Sequence, residues 1–188
     1  MATAIQTTVS AAPAFGVPGQ EYDASFSDII SRVTPEAVPF GTYVAFTAED
    51  IAENPDTEAE VLLGGGIALI DPTKASGVGY EAGDVMRVMV RGRAWVLSEV
   101  TVASTDPVYV RHTAGGAEQK GAFRNDADGT DADIPPGMRW FKGGAANLAV
   151  IEVGYGGSAG AQGAQGAQGA QGAQGAQGAQ GAQGPQGA

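Results

Sequence analysis

The chain has 188 residues, 21 acidic against 10 basic, a formal net charge of −11 and one histidine. Such an excess of carboxylates repels nucleic acid and anionic membranes, whose binding calls for clustered Lys and Arg, so neither is an expected partner. With no cysteine there are no disulfides or thiolate metal sites, and no apolar run reaches the length of a membrane span.

Residues Met1 to Ser10 lack a basic region followed by an apolar core, so no secretory signal is expected and synthesis is assigned to the cytoplasm. The segment to Gln20 is rich in Ala, Thr, Pro and Gly and has no period long enough to fold alone. It reads as an extended arm, residues 1–25, ordered by what it lies against. Asp28-Ile29-Ile30-Ser31-Arg32-Val33 is expected to form a turn or two of helix ended before Pro35.

From Val38 onward short apolar runs alternate with Gly, Pro and Asp turns, the texture of an all-β sandwich or barrel over residues 26–156. The expected strands are Tyr43–Thr47, Val61–Leu63, Ile67–Ile70, Val85–Leu97, Val108–Arg111 and Leu148–Tyr155. Val85–Leu97 carries the clearest signal. Met86, Val88, Val90, Gly92, Ala94 and Val96 make one apolar face of a period-two ribbon, and Arg87, Arg91 and Arg93 fall on the other. Gly92 in mid-strand suggests a bulge or a close backbone approach.

Those three arginines are candidate interface residues, because a planar guanidinium pairs bidentately with carboxylates of a neighbouring subunit. The alternative is partners within the chain, such as Glu81, Asp84 or Glu99. Gly64-Gly65-Gly66 lacks the Lys-Ser/Thr of a P-loop and reads as a hairpin or wide turn. His112 has no second histidine to work with and reads as a surface or strand-end residue. Asn125 to Asp133 is dense in oxygen ligands, but its glycine and Ile134-Pro135-Pro136 break the EF-hand spacing, so a solvated acidic loop is expected. No nucleophile, base and orienting group assemble in the sequence. No catalytic residue, metal or cofactor is assigned, and the chain is not expected to be an enzyme.

The last segment, residues 157–188, has glycine at every third position: Gly157, Gly160, Gly163, Gly166, Gly169, Gly172, Gly175, Gly178, Gly181, Gly184 and Gly187. A strict Gly-X-Y register is what a collagen triple helix requires, since only glycine fits at the axis where three polyproline-II-like chains meet. That reading makes the protein a homotrimer. Proline is scarce in the repeat, and a flexible Gly/Ala/Gln linker is the competing reading.

Several stretches resemble the cement, or head decoration, proteins of tailed bacteriophages. They are Gln6-Thr7-Thr8-Val9 with Pro13-Ala14 and Gly16-Val17-Pro18-Gly19, Ser31-Arg32-Val33 with Val38-Pro39-Phe40-Gly41, Tyr80-Glu81-Ala82-Gly83-Asp84, Val90-Arg91-Gly92-Arg93-Ala94-Trp95-Val96, Asp106-Pro107-Val108-Tyr109-Val110, and Asn147-Leu148-Ala149-Val150-Ile151-Glu152. The resemblance implies a β-rich structural protein of the virion. Such a protein trimerises on the outer capsid surface, bridges neighbouring major capsid proteins and stabilises the shell. Gln6, Thr7, Thr8 and Val9 of the arm join Arg87, Arg91 and Arg93 as candidate interface residues. The alternative role is a tail-fibre or receptor-binding protein with the repeat as its stalk. The folded part precedes the repeat, which favours a head fibre projected from a surface-seated domain.

Overall fold

The computed structural model describes residues 16–23, 27–74, 78–145 and 148–154. The arm residues Gln6, Thr7, Thr8 and Val9 and all the repeat glycines from Gly157 lie outside them. Twelve strands and one short helix make up the described elements: β1 (Asp28–Val33), β2 (Val38–Pro39), β3 (Tyr43–Ala48), β4 (Ile51–Glu53), α1 (Glu58–Leu63), β5 (Gly65–Ala68), β6 (Gly79–Tyr80), β7 (Val85–Val96), β8 (Tyr109–Arg111), β9 (Phe123–Arg124), β10 (Ala132–Asp133), β11 (Met138–Lys142) and β12 (Ala149–Val153). No described helix is long and apolar enough to cross a membrane.

Strands β1, β4, β3, β5 and β7 pair in that order, and β7 pairs back to β1, so this part of the sheet closes into a barrel-like ring. Closure satisfies the backbone groups that an open edge would expose. Every strand of the ring contributes to one apolar cluster: Ile30, Ala52, Val44, Phe46, Ala68, Met86 and Val88, together with Val38 and Tyr80 from the β2–β6 pair and Phe40 just after β2. That cluster is the ring's interior. A second core forms outside it, where Tyr43, Ile67 and Met89 pack with Phe123, Trp140, Ile151 and the helix residue Val61.

β7 belongs to both layers. Its first half pairs with β1 and β5, and its second half pairs with β12, which carries β11. The register against β1 slips between Asp28 (opposite Arg91) and Ile29 (opposite Met89), which leaves Val90 as the extra residue of a bulge. The pleat changes phase there. Met86 and Val88 point into the ring, whereas Ala94 and Val96 join Met89 in the outer core. The expected single apolar face is therefore two half-faces, and Arg87 is out of phase with Arg91 and Arg93.

Two elements differ from expectation. Asp28–Val33 is a strand, not a helix. A helix that short gains little against its nucleation cost, whereas all six residues find partners along β7. Conversely, Val61–Leu63 closes helix α1. Thr57 Oγ1 accepts the Glu60 N–H at 3.3 Å, the Glu60 carboxylate reaches back to the Asp56 N–H, and Gly64 ends the helix at φ 99°. Gly64-Gly65-Gly66 is not a hairpin either, because Gly65 and Gly66 begin β5 opposite Ala45 and Val44. A Cβ on Gly66 would lie 2.5 Å from the Met89 carbonyl oxygen, so only glycine lets β5 and β7 approach this closely.

Candidate interaction surface

The three candidate arginines of β7 have different surroundings. Arg93 donates through Nη1 to Asp23 Oδ2 at 3.0 Å and through Nε to Glu152 Oε1 at 3.1 Å, and its guanidinium lies 3.8 Å from the Phe141 ring centroid. Arg87 reaches Glu21 Oε1 at 3.5 Å and the Ile70 carbonyl at 3.2 Å. Arg91 is exposed at the bulge. The partners named for Arg87 and Arg93 are Glu21, Asp23 and Glu152. Of the acids anticipated from the sequence, Asp84 is engaged with Lys74 and Glu99 with Arg111 and Arg124.

Glu21 and Asp23 belong to the end of the N-terminal segment, which lies along the upper half of β7 as a partial strand. The Gly19 N–H donates to the Trp95 carbonyl, the Trp95 N–H to the Gln20 carbonyl and the Tyr22 N–H to the Arg93 carbonyl, each at 2.8 Å. Tyr22 then stacks between Trp95 and Phe141, with ring centroids 5.5 Å apart in both pairs, and Lys142 sits 5.5 Å from the Trp95 ring. Arg93 therefore anchors this segment through Asp23, and β12 through Glu152. Beside it runs a groove of about 670 Å³ walled by Val17, Pro18, Phe40, Ile70, Val78 and Tyr80.

A second constellation was not visible in the sequence. Arg111, buried to 1% exposure, donates from Nε to Glu99 at 2.8 Å and from Nη2 to Asp128 Oδ2 at 2.6 Å. Arg124 donates to the same Asp128 oxygen at 2.7 Å, to Asp126 at 2.7 Å and to Glu99 at 3.2 Å. The acidic loop is thus a counter-charge for two inward arginines. Its residue Asp128 sits at φ 44°, and its carboxyl is held below the usual carboxylate range chiefly by the Arg111 hydrogen bond. Among the described residues, no group of acidic or histidine side chains has metal-holding geometry. His112 directly follows β8 and is buried rather than superficial, with Nε2 3.0 Å from Asp133 Oδ2 and Nδ1 3.0 Å from Thr113 Oγ1. The available signal was the adjacent Arg111-His112 pair at the end of an apolar strand, with a run of aspartates further along the chain. Pairing partners over such separations are not encoded locally.

The family model for structural cement proteins (E217 gp24/Pam3 gp6) matches residues 5–156. The chain belongs to this phage cement family. Among solved structures, a chain from the capsid of Myoviridae phage XM1 is similar in fold, with a TM-score of 0.60 and 21% identity over 80% of this chain and 97% of that one. No curated protein matches.

Membership gives this cement protein a structural role in a phage capsid and places it in the virion. The resemblance seen in the sequence is thereby confirmed at the level of family. The surface made by β7, Tyr22, Phe141 and Lys142 is cross-linked by Arg93 rather than left as an open row of cations.

Proposed function

We propose that this cement protein assembles as a homotrimer on the outer surface of the capsid, bridges neighbouring major capsid proteins and projects its repeat as a triple-helical fibre. One observation carries the reading. The family match ends at residue 156, and the unbroken Gly-X-Y register begins at Gly157. The repeat thus follows the residues that match the cement family without interrupting them, and three chains are the number a collagen helix needs. Extended at ~3.1 Å per residue, the tail would reach roughly 95 Å from the shell.

Bridging is assigned to the residues ahead of Gly16, which include Gln6, Thr7, Thr8 and Val9, and to the half-exposed Arg87. Arg93 is committed to Asp23 and Glu152 and serves to hold the arm's root in place. The test combines light scattering with decoration of shells that lack the protein. A solution or particle-bound trimer, three times the 18.8 kDa chain, together with a raised shell melting temperature is expected. A dimer or tetramer on the particle, or no change in shell stability, overturns the reading.

A further inference from the structure

The end of β12 fixes where three copies must meet if the tail is a triple helix. Val153 pairs with Gly92 of β7, and Gly154 turns out of the strand at φ 73°, so close to Arg91 that a Cβ there would lie 3.0 Å from Arg91 Cγ. The Gly-X-Y register starts three residues later, at Gly157. A fully extended chain covers at most ~3.6 Å per residue, so Gly154 and Gly157 are separated by no more than about 11 Å. The repeat glycines sit at the helix axis. Gly154 of every copy is therefore held close to a common threefold axis, whatever path the junction takes.

We infer that the corner of β7 and β12 around Gly154 is the contact surface between copies of this chain at the base of the fibre, an inference that rests on the trimeric reading above. Charge supports the assignment. Three chains of net −11 repel one another, and they approach best where each is locally neutral. This corner is balanced, with Arg91, Arg93 and Arg139 set against Asp23, Asp28 and Glu152. Other surfaces are not. The start of α1 carries Asp56, Glu58 and Glu60 with Lys120 opposed, and around the loop after β9 Glu99, Glu118, Asp126, Asp128 and Asp131 outnumber Arg111 and Arg124. Asp28 and Arg91 are exposed neighbours across paired strands, one of each sign. Around a threefold axis such a pair is repeated head to tail, so that an arginine of one copy meets an aspartate of the next.

The chain's lack of cysteine makes the test clean. Arg91→Cys and, separately, Asp28→Cys are spin-labelled in the full-length protein, and inter-label distances are measured by pulsed electron resonance alongside the solution mass. Asp50→Cys is the reference. It lies in the β3–β4 turn, beside the Val33–Val85 end of the ring and six residues of β7 away from Arg91. The expected result is a trimer with one short distance at positions 91 and 28 and a clearly longer one at 50. A trimer in which 91 and 28 are no closer than 50 overturns the contact surface and leaves the trimer standing. A mass other than a trimer, both in solution and on decorated shells, overturns both. A fold control by circular dichroism on each variant keeps the two positions interpretable independently.

Discussion

Arg111 Nη2 lies 2.6 Å from Asp128 Oδ2, an ion pair that fastens a buried strand residue to the acidic loop 17 residues further along the chain. Removing Arg111 leaves Asp128 and Glu99 to Arg124 and takes away the Glu118 ion pair. Arg111→Met is expected to cost about 1–3 kcal/mol, read as a lower urea midpoint at unchanged slope. Arg111→Lys should recover little, because one ammonium cannot reach Glu99 and Asp128 with the same fork. A wild-type midpoint for Arg111→Met would show that the network carries no stability.

The same pair sets the acid limb of the stability curve. Hydrogen bonding from Arg111 holds the folded-state carboxyl of Asp128 below its unfolded value of about 3.9. A depressed folded value means the stabilisation is fully present above the unfolded value and is lost as pH falls through the folded one. Asp84 shifts the same way through Lys74, and Asp106 through the Ala103 N–H. Urea midpoints should hold down to about pH 5 and fall below pH 4, with a shallower fall in Asp128→Asn.

Truncation should separate attachment from folding. Removing residues 1–15 is expected to leave the urea midpoint unchanged and weaken binding to shells. Removing residues 1–23 also strips three backbone hydrogen bonds to Arg93 and Trp95 and uncovers Trp95. At about 1 kcal/mol each, those bonds alone predict a loss near 3 kcal/mol, with a red shift in tryptophan emission. Full-affinity decoration by the shorter truncation would argue against an attachment role for Gln6 to Val9.

Gly66→Ala places a methyl 2.5 Å from the Met89 carbonyl, in the middle of the β3–β5–β7 pairing. The strands must separate to admit it, and a cost of about 1–3 kcal/mol is expected from thermal or urea unfolding. Gly83→Ala is the comparison. A Cβ there meets nothing within 4 Å, so only its φ of 88° is penalised.

In the repeat, Gly172→Asp would bring three carboxylates to the axis and abolish the polyproline-type circular dichroism signal around that point. Decoration of shells should be unaffected, since the cement domain ends before the register begins. Absence of the signal in the wild-type protein at low temperature would sink the triple helix and leave the cement role intact.

What the sequence determined by itself was whatever repeats or alternates within a few residues. The glycine period and the strand character of β7 are of this kind, and each reports on a short stretch of backbone. The β-rich character and the family resemblance followed from the same local patterns. The capping box at Thr57 and Glu60 was also local, but it lay next to an apolar Val-Leu-Leu that reads equally as a strand.

Tertiary structure decided the rest. Asp28–Val33 became a strand because β7 offered it six partners, and β7 became two half-faces because β1 slipped by one residue at Val90. Arg111 turned inward because Glu99, Glu118 and Asp128 converge on it from three separate segments. In each case the deciding energy is a contact between residues far apart in the chain. A backbone hydrogen bond or a buried ion pair exists only once the fold has brought both partners out of water, and no local pattern encodes that.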